Sequence, residues 1–181
     1  MESVEKKLLI LDLDETLVYA TEEVLERPQD FIVGQYFVYK RAFLKEFIEF
    51  CLKNFEVAVW TSSTKNYATK IVEEIFPNPN ELKFFWSRWR CTIRYDEELQ
   101  ETYFEKMMSK VRKRKFDLAK VIVVDDSPEK WRNSYGNLVR VKPYFGDLGD
   151  DELQTLIVYL ERLKTAENIR KIEKRFWKNR L

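Results

Sequence analysis

Residues 8–17 read LLILDLDETL. Leu8, Leu9, Ile10 and Leu11 form an apolar run that leads straight into Asp12, Leu13, Asp14, Glu15 and Thr16. A short run with no polar alternation is the pattern of a strand buried on both faces, as in a parallel sheet. Asp12 and Asp14 are two positions apart, so in extended chain their side chains point the same way. Open parallel sheets bind ligands beyond the carboxyl ends of their strands. The stretch therefore predicts an α/β domain with a paired carboxylate where such domains carry their chemistry.

Residues 120–126, KVIVVDD, repeat the design and are followed by Ser127 and Pro128. Val121 to Val124 is a β-branched run closed by Asp125 and Asp126. If the two strands are parallel neighbours, four carboxylates gather at one edge. Such repulsion is costly unless a cation sits among them. Hard oxygen donors with no His or Cys between them suit Mg2+. A single Asp after a strand is ordinarily a turn former or a helix cap. Two strands, each ending in an acidic pair with a hydroxyl residue close behind, fit that simple account poorly.

The rest of the chain reads as one domain, 1–181, with a core over 7–163 and a basic extension over 164–181. Phe31–Val33 and Tyr36–Tyr39 are β-prone runs joined at Gly34-Gln35, a hairpin signal. Residues 42–54 carry Phe43, Phe47, Phe50 and Cys51 at helical spacing. Residues 56–60, EVAVW, predict a third buried strand, followed by the hydroxyl turn Thr61-Ser62-Ser63-Thr64 and a helix over 65–76 that Pro77 and Pro79 close. Residues 84–95, FFWSRWRCTIRY, are aromatic and basic with strand character. A helix is expected over 103–115, ending in the basic run KVRKRK, which reads as a solvated helix end. Residues 137–141 predict a short strand, and 150–163 an amphipathic helix with Leu153, Leu156, Ile157, Leu160 and Leu163 on one face. Ile169, Ile172 and Phe176 give the extension a helical pattern too, either packed back or presented to a partner.

Composition narrows the function. With no histidine, Ser-His-Asp triads, phosphohistidine chemistry and His-ligated zinc are excluded. Gly34, Gly136, Gly146 and Gly149 are the only glycines and build neither a P-loop nor a dinucleotide fingerprint. Cys51 and Cys91 form no metal or redox motif, and neither has an arginine six residues on, so the cysteine-phosphatase loop is missing. A net charge of +1 gives no general attraction for nucleic acid or membrane. No stretch has the length of a membrane span and the first residues lack a signal-peptide pattern; with Cys51 and Cys91 in no metal or redox motif, a reducing cytoplasm is the simpler expectation.

DLDETL (12–17), VAVWTSS (57–63) and VIVVDDSP (121–128) resemble motifs I, II and IV of the haloacid dehalogenase (HAD) superfamily of phosphatases. Together they look like the branch related to NLI-interacting factor, which includes phosphatases of the RNA polymerase II C-terminal domain and similar short bacterial proteins. The resemblance runs over about 8–163. It implies a Rossmann-like HAD fold, a central parallel sheet flanked by helices, with a β-hairpin flap and a short β insertion instead of a full cap. It implies Asp12 as the nucleophile that forms an aspartyl-phosphate and Asp14 as general acid and base, its carbonyl a metal ligand. Thr16 would support the motif I loop. Thr61 and Ser62 would hold the phosphoryl group. Lys106, with Lys110 as the second candidate, would be the motif III lysine. Arg88, or else Arg90, would contact substrate phosphate. Asp12, Asp14, Asp125 and Asp126 would make up the Mg2+ site; either Asp125 or Asp126 would be the direct motif IV ligand, and the Asn that relatives often carry at the second place points to Asp126, with Asp125 orienting Lys106.

The chemistry is coherent with the residues. Phosphoryl transfer needs an in-line nucleophile, charge neutralisation and a proton for the leaving oxygen. The expected activity is Mg2+-dependent hydrolysis of phosphomonoesters, on Ser or Thr of a phosphorylated protein or peptide, with no nucleic acid or membrane partner. A small-molecule phosphatase of the same mechanism is the first alternative, and a binding module that keeps the fold without turnover is the second. Residues 17–41 and 82–102 are each too short for a cap with its own core, since units below roughly 40 residues rarely bury one. An open site is therefore expected, with Trp86, Trp89, Tyr95 and Tyr36 as candidates to line the approach and core packing as the alternative role for most of them.

Overall fold

The computed structural model describes residues 6–98 and 100–181. In chain order, β1 (Leu8–Leu11) leads into an antiparallel excursion of β2 (Val18–Thr21), β3 (Phe31–Val33) and β4 (Tyr36–Lys40). Then come α1 (Leu44–Asn54), β5 (Glu56–Trp60), α2 (Lys65–Ile75) and β6 (Phe85–Trp86). A second excursion, β7 (Thr92–Asp96) and β8 (Glu101–Glu105), precedes α3 (Ser109–Lys113), β9 (Val121–Asp125), β10 (Leu138–Arg140) and α4 (Glu152–Leu163). The main sheet has the order β10-β9-β1-β5-β6 and is parallel throughout. The predicted Rossmann-like α/β architecture is the observed one.

Alternation along the central strands divides the interior in two. Leu9, Leu11, Val57, Val59, Ile122 and Val124 face a core closed by α1, α2 and α4. Leu8, Ile10, Ala58, Trp60, Val121 and Val123 face a second core closed by Val111 of α3 and by Trp86, Met108 and Trp131. Both faces of β1 are therefore dry, and burial of each large aliphatic side chain contributes about 1.5–3 kcal/mol. The second face is covered more by aromatic loops than by helix, and this leaves room for polar side chains to reach the end of β1.

The two excursions are small. β2, β4 and β3 form a three-stranded antiparallel sheet, with Val33 opposite Tyr36 across the predicted turn and Gly34 at φ 61. β7 and β8 form a two-stranded ribbon. Neither builds a cap.

Three expectations are corrected. The helix over 103–115 is in its first part β8, because Tyr103 and Phe104 pair across the ribbon with Arg94 and Ile93; only Ser109–Lys113 is helical. The 84–95 stretch keeps its expected strand character as two short strands, β6 and β7, with a 3-10 turn over Arg88–Arg90 between them. The extension over 164–181 has 3-10 turns at Ile169–Lys171 and Trp177–Arg180 and no α-helix. There Lys174 Nζ donates to the carbonyls of Ile169 and Ile172 at 2.6 and 2.7 Å, and the Asn168 side chain accepts from Arg170 N, so local side-chain bonds replace the helical ladder. Ile169 and Trp177 pack into the first core, which thus extends past residue 163, while Phe176 is exposed. At α1 the start moves from 42 to 44, because Phe43 sits at φ 62, outside helical geometry.

Candidate active site

Parallel pairing of Leu8 with Val121 through Leu11 with Val124 brings Asp12 level with Asp125. Asp12 N continues the ladder, donating to Val124 O at 3.0 Å. Alternation then puts both carboxylates on the face of the second core. Lys106, just beyond β8, reaches between them, with Nζ 2.7 Å from Asp12 Oδ1 and 2.6 Å from Asp125 Oδ2. Its backbone is fixed by Lys106 N donating to Lys130 O at 2.8 Å. Trp131 Nε1 donates to Asp125 Oδ2 at 2.8 Å and Ser127 N to Asp125 Oδ1 at 2.9 Å, so both oxygens of Asp125 are taken.

All three side chains, Asp12, Asp125 and Lys106, are buried. Burial, and after it the charge of Asp125, push the Asp12 carboxyl up to about 7 despite the pull of Lys106. Burial would also raise Asp125, but Lys106 and Lys130 outweigh it and hold this carboxyl below the usual range. Burial works against charge on Lys106 as well, and Asp12 and Asp125 more than compensate.

Asp126 lies on the other side of the strand end. Thr16 Oγ1 donates to Asp126 Oδ1 at 3.3 Å, accepts from Asp126 N at 3.2 Å, and thereby ties the loop after β1 to the loop after β9. Ser127 Oγ donates to Asp126 Oδ2 at 3.1 Å. The β1 loop itself is strained, with Glu15 at φ 55. Arg41 braces it: Nη1 donates to Thr16 O at 3.0 Å, while Nε and Nη2 grip Asp150 at 2.7 and 2.8 Å.

Oxygens of Asp12, Asp125 and Asp126 lie within 4.8 Å of one another, all three residues buried. Burial raises Asp126, with Asp125 adding to it, and lifts the neighbouring Glu15 to about 7. Lys106 and Lys130 supply two positive charges against three acids, so negative charge is left over. That donor set fits a hard divalent cation. Asp12, Asp125 and Asp126 together are the carboxylates that could hold such an ion.

The hydroxyl turn after β5 forms the opposite wall. Thr61 is buried, and its Oγ1 accepts from Ser63 N at 3.0 Å. Asp14 turns its carboxylate to this wall: Ser63 Oγ donates to Oδ2 and Tyr67 Oη to Oδ1, each at 2.5 Å. Ser62 O accepts from Arg88 Nε at 2.7 Å, so Arg88 sits at this turn. Arg90 does not; its guanidinium lies 5.3 Å over the Trp86 ring. Lys110 Nζ is bonded to Arg90 O and Thr92 Oγ1 at 2.8 and 3.1 Å, which leaves Lys106 alone of the two lysines at the acids. Of the aromatic candidates, Trp86 is core, Tyr36 packs edge-on against Tyr67, and Trp89 and Tyr95 are exposed.

Four contributors escape a reading of the sequence. Lys130 lies close enough to Asp12, Asp125 and Asp126 for their charge to outweigh its burial and hold its pKa above the ordinary lysine value. Trp131 anchors Asp125, Tyr67 anchors Asp14, and Arg41 braces Thr16. Each is a lone residue in its segment, with no spacing to mark it. Only Lys130 and Trp131 carry a weak signal, by following DDSP within a few residues.

Residues 7–170 match the NLI interacting factor-like phosphatase family. The chain belongs to this family. CTD small phosphatase-like protein 2 of Dictyostelium discoideum is 34% identical over 169 residues, covering 90% of this chain and 28% of that protein. The chain therefore spans little more than a quarter of that relative's length. CTD nuclear envelope phosphatase 1 of Xenopus laevis is 27% identical over 187 residues, covering 95% of this chain and 73% of that protein. Among solved structures, Fcp1, an essential RNA polymerase II CTD phosphatase, superposes with a TM-score of 0.60 at 21% identity, covering 92% of this chain and 52% of that one. The phosphatase-containing N-terminal part of BF1531 from Bacteroides fragilis, complexed with Mg, gives 0.52 at 17%, covering 91% and 42%. At such identities these two likenesses speak for the fold. The span matched to the NLI interacting factor-like phosphatases takes in every residue of the acidic cluster and runs on into the packed C-terminal segment.

Proposed function

We propose that the chain is a Mg2+-dependent phosphomonoester hydrolase that acts on phosphoserine or phosphothreonine in a polypeptide. The observation that carries this reading is the Asp12 carboxylate, buried at the end of β1, held through Oδ1 by Lys106 and grouped with Asp125 and Asp126. Membership of a phosphatase family supports it.

Among the described residues no hydrogen bond engages Asp12 Oδ2, so this oxygen is the one that attacks phosphorus. The bond from phosphorus to the substrate oxygen breaks, and that oxygen takes a proton from Asp14. Asp14, held by Ser63 and Tyr67, then removes a proton from water as it attacks the aspartyl-phosphate, releasing inorganic phosphate and restoring Asp12. Lys106, the Thr61 hydroxyl and Arg88 hold the equatorial oxygens where charge is spread. Asp12 and Asp126 would hold a Mg2+ ion, which when bound would supply charge neutralisation.

The polypeptide substrate follows from access. The excursions after β1 and β6 are a three-stranded sheet and a two-stranded ribbon, too small to enclose a metabolite and exclude water. Turnover of an aryl phosphate with Mg2+, its loss to a chelator and its abolition by Asp12→Asn test the mechanism. Steady hydrolysis by pure Asp12→Asn protein rules out the covalent route. A panel of phosphoserine peptides against phosphorylated sugars and nucleotides tests the substrate, and a clear preference for a metabolite defeats the open-site argument.

A further inference from the structure

The 3-10 turn Arg88–Arg90 carries two arginines that face different ways. Arg88 is held at the catalytic turn by Ser62 O, its guanidinium 4.8 Å from the Phe104 ring. Arg90 stacks over Trp86, at the rim of a cavity of about 370 Å³ lined by Trp86, Arg90, Lys110, Lys113 and Arg114. Between the two arginines Trp89 stands 87% exposed.

The cavity has an unusual lining. Four cationic side chains and one indole line it, and among the described residues no carboxylate does. In a chain with a net charge of only +1 this concentration is local. Like charges brought together raise the energy of the fold. The rings offset part of that cost: Arg114 lies 5.4 Å from the Phe84 ring and 6.0 Å from Trp86. Lys110 is drawn in by two oxygens, Arg90 O and Thr92 Oγ1. Lys113 and Arg114 stay exposed at the mouth. The basic run over 110–115 is thus more than a solvated helix end, since three of its members line one cavity. A dianion with several acceptor oxygens is the ligand that matches guanidinium and ammonium groups gathered in the lining of one cavity.

We propose that this cavity is a second phosphate subsite, which takes a phosphorylated residue a few positions along the same extended segment from the phosphoresidue at Asp12. The inference rests on the polypeptide-phosphatase reading above and names the substrate class as a multiply phosphorylated segment. One short turn joins the two sites, so a single extended chain can cross Trp89 with one phosphate on either side. Side chains between the phosphates would lie on the exposed indole.

The test is equilibrium binding of fluorescent peptides to the full chain carrying Asp12→Asn, which leaves the peptides intact. One peptide carries a single phosphoserine; the others carry a second phosphoserine two, three or four residues away on either side. For at least one spacing the second phosphate tightens binding about five- to tenfold, with a steeper salt dependence. That advantage disappears in Lys113→Gln/Arg114→Gln and shrinks in Lys113→Glu, which leaves the stacked rings untouched and guards against a folding defect in the double variant. Equal binding at every spacing, an advantage that survives both variants, or tighter binding of a single-stranded oligonucleotide than of the doubly phosphorylated peptide overturns the subsite. Aryl phosphate turnover, measured separately on the protein with Asp12 intact, keeps the two readings apart. Hydrolysis without the advantage removes the subsite alone; the advantage without hydrolysis removes the catalytic reading alone.

Discussion

Lys106 Nζ stands 2.7 Å from Asp12 Oδ1, and the two side chains are 0% and 2% exposed. The same ammonium lies 2.6 Å from Asp125. Removing it leaves two buried carboxylates facing each other. Lys106→Met is therefore expected to cost about 3–5 kcal/mol of stability as well as turnover. Urea unfolding and aryl phosphate hydrolysis measure the two losses. A variant as stable as the parent would show that the acids do not depend on Lys106 for their burial.

Asp14 accepts from Ser63 and Tyr67 and is not in the group formed by Asp12, Asp125 and Asp126. That position suits a proton carrier better than a carboxylate ligand. Asp14→Asn should slow alkyl phosphates by about 10²–10⁴, and aryl phosphates by less, because a good leaving group needs little protonation. Equal losses on both substrate classes would take the acid role away from Asp14.

The Arg41–Asp150 pair links stability to the loop that follows β1. Burial alone would raise the Asp150 carboxyl, but the Arg41 guanidinium outweighs it and holds the carboxyl below the usual range. A depressed acid contributes stability above its unfolded value, about 3.9, and loses it as pH falls through the folded value. Asp150→Asn leaves Arg41 without its partner, so at pH 7 a deficit of about 3–5 kcal/mol is expected. Below about pH 4 the parent loses the same contribution and the gap narrows. Because Arg41 also holds Thr16 O, kcat should fall in step. Denaturant curves at the two pH values check the sign, and a deficit that widens in acid would contradict it.

How far the sequence could be read follows from where each signal lies. β1, β5 and β9 are short apolar runs ending in Asp12, Thr61 and Asp125, and both strand and site residue lie within one window. Lys106 was legible as a residue but not as part of an element, because a lysine pattern resembling a motif says nothing about the strand pairing of Tyr103 and Phe104 that delivers it. Tyr67 reaches Asp14 across 53 positions and Arg41 reaches Asp150 across 109, and no local pattern records such contacts. The choice between Lys106 and Lys110 was likewise a question of which ammonium the ribbon turns inward.

The C-terminal segment shows the same limit. Ile169, Ile172 and Phe176 suggest one helical face, yet the buried aromatic is Trp177, not Phe176. Phe176 takes φ 55, which breaks the helical path and turns the next residue inward. Trp177 then stacks on Tyr159 of α4, ring centroids 5.2 Å apart, and its Nε1 donates to Arg140 O at 2.7 Å. Trp177→Ala removes that packing and leaves the Arg140 carbonyl without its donor, so a loss of about 3–5 kcal/mol is expected. Phe176→Ala, one residue earlier and 80% exposed, should stay within about 0.5 kcal/mol of the parent. A partner-binding tail that does not belong to the core would give the reverse order, or no difference, in thermal or urea unfolding of the isolated chain.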